Sequence, residues 1–354
     1  MKSSLDSDEP GVKTGIMICG HGSRDADAIV EFDSLAVRLR ERLPQYEVEA
    51  GYLEFARPNL RTGFEALKER GVRRILALPG ILFAAGHVKN DLPWETNSFA
   101  AANPDLDVFY GRDMGIDPRL LAASAERIAD VEASSPQTVE RKDTLLLVIG
   151  RGTLDPDANS NIAKVARMLW EGMGFGVTEY AFSGVTFPLA DSVMERAAVA
   201  GYRRIIVFPY FLFTGVLIKR IHRWVDEIAA RYPGVEFLKA HYLSDHPLVI
   251  DSLVEQVNEI IEGRVAMNCR MCIYREQVIG YETAVGAVQD GHHHHHVAGD
   301  GHDHHDHHHD HDHGHDHDHG RHDHHHGHGD GCGRHGHGCC RHGHDHHEHE
   351  PEKE

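Results

Sequence analysis

Apolar residues along this chain fall into short continuous runs, each followed by a stretch with helical period. TGIMICG at 14–20 leads into an amphipathic segment from about Asp25 to Leu43, VEAGYLEF into a helical pattern near 59–70, and RRILALP at 73–79 into a third polar and apolar alternation. The pattern then starts again, with TLLLVIG, GVTEYAFSG and RRIIVFP each ahead of a helical stretch. Apolar runs of this length, bounded by turn residues and alternating with helices, predict parallel strands covered on both faces.

The restart is a repeat. GVRRILALPGILF at 71–83 returns as GYRRIIVFPYFLF at 201–213, an offset of 130; ICGHGSRD at 18–25 faces VIGRGTLD at 148–155, and Pro58 faces Pro188, at that same offset. Three segments in one ungapped register argue for duplication. The expected fold class is α/β: two doubly wound, parallel-sheet domains, residues 14–132 and 144–263, facing a central cleft. Residues 1–13 form an N-terminal extension and 133–143, ASSPQTVERKD, a linker.

Composition changes sharply after residue 290. From His292 onward lie 28 of the 33 histidines, mixed with Asp and Gly. A segment so poor in apolar residues cannot bury a core, so 291–354 is expected to be disordered when unliganded. Residues 290–354 carry 15 acidic and 4 basic side chains, a net of −11, which leaves −8 of the formal −19 for residues 1–289. A mildly acidic body argues against nucleic acid as a partner. No apolar run reaches the roughly 18 residues of a membrane span. The start, MKSSLDSDEP, has no signal-peptide pattern, so a cytoplasmic location is expected. Cys19, on a strand, reads as a small buried hydrophobe, and five of the six cysteines lie beyond 268, so no disulfide framework supports the body.

Candidate chemistry follows from comparing the two repeats. The segment LPGILFAAGHVKND at 78–91 ends an apolar run in small residues that present His87, where a parallel strand delivers its carboxyl end and ligands usually bind. At the 130-residue offset, His21 becomes Arg151, Glu54 becomes Gly184 and His87 becomes Leu217, while Gly150 and Gly152 are kept around the first of these sites. Side chains needed to hold the fold would be needed twice; these three are equipment of one repeat. His21, Glu54 and His87 follow three successive strands at intervals of 33 residues. Sharing one sheet edge, two imidazoles and a carboxylate suit Co, Ni, Fe(II) or Zn and can also take protons near neutral pH.

GHGSRD, YLEFARP and LFAAGHVKNDLP, in this order and spacing, resemble the class II tetrapyrrole chelatases, in particular the long, two-copy sirohydrochlorin cobaltochelatases of the CbiX type. The resemblance covers about residues 14–262. It implies insertion of Co(II), the substrate metal, into sirohydrochlorin in cobalamin biosynthesis, with His21 and His87 handling metal or protons and Glu54 as the acidic strand-end group. The departures to Arg151 and Leu217 leave one such site rather than two. Sirohydrochlorin carries eight carboxylates, so cations are expected around it: Arg24, Arg57 and Lys89 beside the histidines, and Arg151, Lys219 and Arg220 on the other repeat. Each could equally be a solvated surface charge.

MNCRMC at 267–272, within the segment 264–290, offers Cys269 and Cys272 as a dithiol, half a zinc site or half an iron-sulfur site. The resemblance associates such an element with a 4Fe-4S cluster, whose remaining ligands would come from Cys332, Cys339 and Cys340 or from a second subunit in a homodimer. The histidine tail reads as a store of exchangeable Ni, Co or Zn rather than a tag, because its histidines are interspersed over almost sixty positions. Two other readings stand beside cobalt insertion: the same reaction with nickel or iron, and a non-enzymatic metal storage or delivery protein.

Overall fold

In the computed structural model, residues 12–264 are described. The first parallel sheet contains β1 (Thr14–Gly20), β2 (Glu47–Tyr52), β3 (Arg74–Pro79) and β4 (Asp107–Tyr110) in the order β2-β1-β3-β4. The second repeats it with β5 (Thr144–Gly150), β6 (Val177–Phe182), β7 (Arg204–Pro209) and β8 (Glu236–Lys239) in the order β6-β5-β7-β8. Register repeats as well: Gly20 faces Tyr52 as Gly150 faces Phe182. The α/β duplication expected from the sequence is thus the observed architecture. β4 and β8 were not anticipated; DVFY and EFLK are four residues each and carry charged residues at their ends, too short for an apolar run.

Among the described residues eight α-helices follow the strands: α1 (Ala26–Arg42), α2 (Leu60–Glu69), α3 (Leu92–Ala102), α4 (Pro118–Ser134), α5 (Pro156–Met173), α6 (Ala190–Ala198), α7 (Val216–Arg231) and α8 (Pro247–Ile261). Two apolar faces on each sheet require two covers. Phe64 of α2 and Phe99 of α3 belong to the core on the outer face of the first sheet, and Val193 of α6 and Val225 of α7 to that of the second. The inner faces share one core, in which Ile16, Ile18, Leu76 and Leu78 of the first sheet join Leu146, Val148, Ile206 and Phe208 of the second.

The last helix of each repeat crosses over. α8 packs on β3 and α1 of the first repeat, and α4 on α5 and β8 of the second. Arg112 donates to both carboxylate oxygens of Glu259 at 2.8 and 3.0 Å, and the Ser252 hydroxyl donates to Asp117 at 3.0 Å, fastening the exchanged helices with buried or half-buried polar contacts. α4 runs through Ser134, so only the remainder of 133–143 connects the repeats. Arg204, fully buried, holds that connection by donating to the Gln137 carbonyl and to Glu236, each at 2.6 Å. Among the described residues no helix is long and apolar enough to cross a membrane.

Candidate metal and proton-transfer site

The strand order reverses direction at β1, with β2 on one side and β3 on the other, and the loops after these three strands rise from one sheet edge. His21 follows β1 directly. The amide of Leu53 donates to the Gly20 carbonyl at 2.9 Å and that of Glu54 to the His21 carbonyl at 3.0 Å, so the chain after β2 runs on beside the chain after β1. That approach requires glycine at position 22: its φ is +96°, and a Cβ there would lie 1.7 Å from the Glu54 carbonyl oxygen. The glycine in GHGSRD is therefore what lets an imidazole and a carboxylate sit side by side.

His87 stands not in the loop itself, where the sequence suggested it, but at the start of a five-residue π turn, His87–Asp91, that continues into α3. The Leu92 amide donates to the His87 carbonyl, closing the wide turn, and the Tyr110 hydroxyl donates to the Val88 carbonyl at 3.1 Å. Such turns are rare and concentrate at functional sites.

His21 Nε2 lies 3.4 Å from Glu54 Oε1, and the two imidazole rings meet edge to face with centroids 4.5 Å apart. One ligand atom from each of His21, Glu54 and His87 falls within 4.8 Å of the others, a spacing one cation can bridge. Nδ1 of His21 is 3.1 Å from the Gly22 carbonyl, and Nδ1 of His87 is 2.7 Å from Asp91 Oδ2. Each of those nitrogens carries the proton, which leaves both Nε2 atoms as electron-pair donors. Burial pushes the Glu54 carboxyl above its ordinary range against the opposing pull of His87, Arg151 and Arg24.

Asp91 was missed by sequence reasoning. It is buried, takes a 2.7 Å hydrogen bond from the Asn90 side-chain amide, and orients His87. Its signal is the four-residue spacing of His87 and Asp91 in HVKND, since residues four apart face each other on a helix, but the small residues ahead of it read as loop.

The candidate cations divide into two groups. Arg151 follows β5, is exposed, and interacts electrostatically with Glu54 of the other repeat; crowding by protein pulls its pKa down, opposed by Glu54. Arg24 lies over the Phe55 ring at 4.8 Å, and Arg57 is exposed on the Glu54 loop. Lys89, Lys219 and Arg220 are engaged with protein. Lys89 bridges Asp155 at 2.7 Å and Asp157 at 2.9 Å, and Lys219 bridges Asp25 at 2.7 Å and Asp27 at 3.0 Å, the same contact made reciprocally by the two repeats. Arg220 donates to the Ser183 carbonyl and lies over Trp224. Cys269, Cys272 and the histidine-rich tail lie outside the described residues.

A family model described as CbiX matches residues 15–131 and 145–260. The sirohydrochlorin cobaltochelatase of Priestia megaterium is 36% identical over 260 residues, 73% of this chain and 84% of its own length. The sirohydrochlorin ferrochelatase of Bacillus subtilis is 29% identical over 248 residues, 70% of this chain and 92% of its own. Among solved structures, SirB from Bacillus subtilis with Fe3+ matches with a TM-score of 0.64 at 28% identity, covering 71% of this chain and 97% of that one. The sirohydrochlorin chelatase SirB from Bacillus subtilis subspecies spizizenii in complex with cobalt matches with a TM-score of 0.60 at 28% identity, covering 71% and 96%.

Proposed function

The chain belongs to the CbiX family, and we propose that it is a sirohydrochlorin chelatase that inserts Co(II), exchanging the metal for two pyrrole protons. The observation that carries this reading is the meeting of His21, Glu54 and His87 at one sheet edge of one repeat, opposite Arg151. Insertion must strip water from a cation, hold it at the ring face, and remove two protons from pyrrole nitrogens. The two Nε2 atoms and the Glu54 carboxylate replace part of the hydration shell. As the cation passes to the ring nitrogens, the imidazoles it leaves are bases poised to take the departing protons, and Glu54 balances the charge they acquire. Asp91 holds His87 in the tautomer this requires. Arg151, Arg24 and Arg57 are the candidate partners of the substrate carboxylates, Arg151 foremost because a guanidinium can grip a carboxylate with two parallel bonds. Lys89, Lys219 and Arg220 would join them only if their present contacts open.

Cobalt is favoured by the 36% identity to a cobaltochelatase against 29% to a ferrochelatase. Iron is the second reading, favoured by that same ferrochelatase relative. Storage without catalysis would not explain why the triad is confined to one repeat. The histidine-rich tail, binding Co, Ni or Zn, would raise the local metal concentration at the site. Cys269 and Cys272, to which the resemblance assigns the 4Fe-4S cluster, lie outside the described residues; among those described the one cysteine, Cys19, is fully buried, and burial pushes its thiol pKa up. The test is incubation of sirohydrochlorin with Co(II), Ni(II) or Fe(II), with and without the protein, following the pigment's absorption. Acceleration with cobalt above the others supports the reading. No acceleration with any metal would refute it.

A further inference from the structure

The loops after β1 and β2, which carry His21 and Glu54, have counterparts after β5 and β6 with nearly the same backbone but different side chains. Ser183 donates to the Gly150 carbonyl at 2.9 Å, as Leu53 does to Gly20, and Gly152 takes φ +85° where Gly22 takes +96°. On this copied frame Leu154, Val185 and Phe187 are 74%, 65% and 80% exposed, and Val216, at the start of α7, is 68% exposed. They stand where the first repeat has Arg24, Phe55, Arg57 and Gly86. The other large apolar side chains exposed among the described residues are Val30 and Val37 on α1, Met168 on α5, Tyr180 on β6 and Val199 at the end of α6. None of these lies on a strand-end loop of the first repeat.

The strained turn belongs to the copied frame: Val185 has φ +69°, as Phe55 has φ +62° at the corresponding place in the first repeat. The loops are also turned toward the first repeat: Arg151 interacts with Glu54, Asp155 next to Leu154 pairs with Lys89, and Thr214, two residues before Val216, donates its amide to Glu31 at 2.7 Å. Exposed apolar side chains gathered on the loops at one sheet edge mark a binding face.

We propose that this edge of the second repeat is the platform for the flat apolar face of the macrocycle, with Phe187 and Val185 at its centre and Leu154 and Val216 flanking them. The inference rests on the chelatase reading above. A planar apolar ring fringed with carboxylates matches an apolar surface bordered by Arg151, with Arg24 and Arg57 on the facing repeat. The duplication has then divided the labour: one repeat keeps the groups that handle metal and protons, the other has exchanged them for surface that holds the ring.

The full-length double variant Phe187→Ser/Val185→Ser tests this, since both side chains are exposed and their loss removes no core contact. Titration with metal-free sirohydrochlorin should show Kd raised by about tenfold or more, the loss expected for one large apolar contact. KM for the pigment should rise in step, while kcat at saturating pigment and the KM for cobalt stay unchanged. Val30→Ser, equally exposed on α1, should leave all four constants at their wild-type values. An unchanged pigment Kd in the double variant, or an equal loss in Val30→Ser, would overturn the platform and leave the chelatase reading standing. Wild-type protein that binds the pigment through Phe187 and Val185 but inserts no metal would sink the chelatase reading and keep the platform.

Discussion

Asp91 Oδ2 lies 2.7 Å from Nδ1 of His87, inside a π turn that opens α3. A buried carboxylate in that position fixes the imidazole tautomer and raises its basicity as a ligand. Asp91→Asn keeps the shape but can present an N–H instead of an acceptor, so the ring loses its orientation. The expected result is a rise of about 10–100-fold in the cobalt concentration needed for half-maximal insertion, with an unchanged circular dichroism spectrum. Steady-state kinetics with cobalt varied at fixed sirohydrochlorin checks it.

Gly22 carries the closest approach in the site. With φ at +96° and a Cβ position 1.7 Å from the Glu54 carbonyl, Gly22→Ala must move one of the two loops. The left-handed conformation alone costs of order 1–3 kcal/mol, and the displaced backbone separates Glu54 from His21. Thermal denaturation should show a lowered midpoint, and insertion should fall with it even at temperatures where the variant is folded.

The reciprocal lysines make equivalent contacts in unequal surroundings. Lys89 is 16% exposed and pairs with Asp155, which is 2% exposed, whereas Lys219 is 56% exposed. Lys89→Met leaves a buried carboxylate short of its partner, so urea denaturation should register a loss of about 3–5 kcal/mol, reduced to the extent that Asp155 still caps α5. Lys219→Met should shift the midpoint little. Equal losses from both would show that burial does not set the strength of these links.

Removing residues 291–354 should leave insertion unchanged at saturating cobalt and slow it when cobalt is scarce. Free imidazole titrates near pH ~6.5, so the advantage of the full chain under scarcity should fade as pH drops below that value. Initial rates at two cobalt concentrations, with and without the tail, are the measurement. Identical rates for both proteins at both concentrations would refute delivery.

The central strands were legible because each is a buried apolar run, and because a single offset of 130 residues aligns the two sets. The exchange of α4 and α8 was not, since an amphipathic pattern announces an apolar face without naming the sheet that covers it. Candidate ligands His21, Glu54 and His87 could be read from their absence in the second repeat. Asp91 could not, because the segment leading into HVKND reads as loop, and the pairing of Lys89 and Lys219 could not because their partners lie 66 and 194 residues away in the chain. The apolar exposure of Phe187 had no signal in sequence: an exposed and a buried phenylalanine are written alike.

The decisive measurement is the rate of cobalt insertion into sirohydrochlorin by His87→Ala, on protein whose circular dichroism and thermal midpoint match the wild type. His87 is about one-third exposed at its side chain and stands at a strand-end turn rather than in the apolar core, so the fold should survive. The predicted outcome is a loss of about 10²–10⁴-fold or more at saturating metal and pigment. Turnover at the wild-type rate would contradict the assignment of metal and proton handling to this edge of the first repeat.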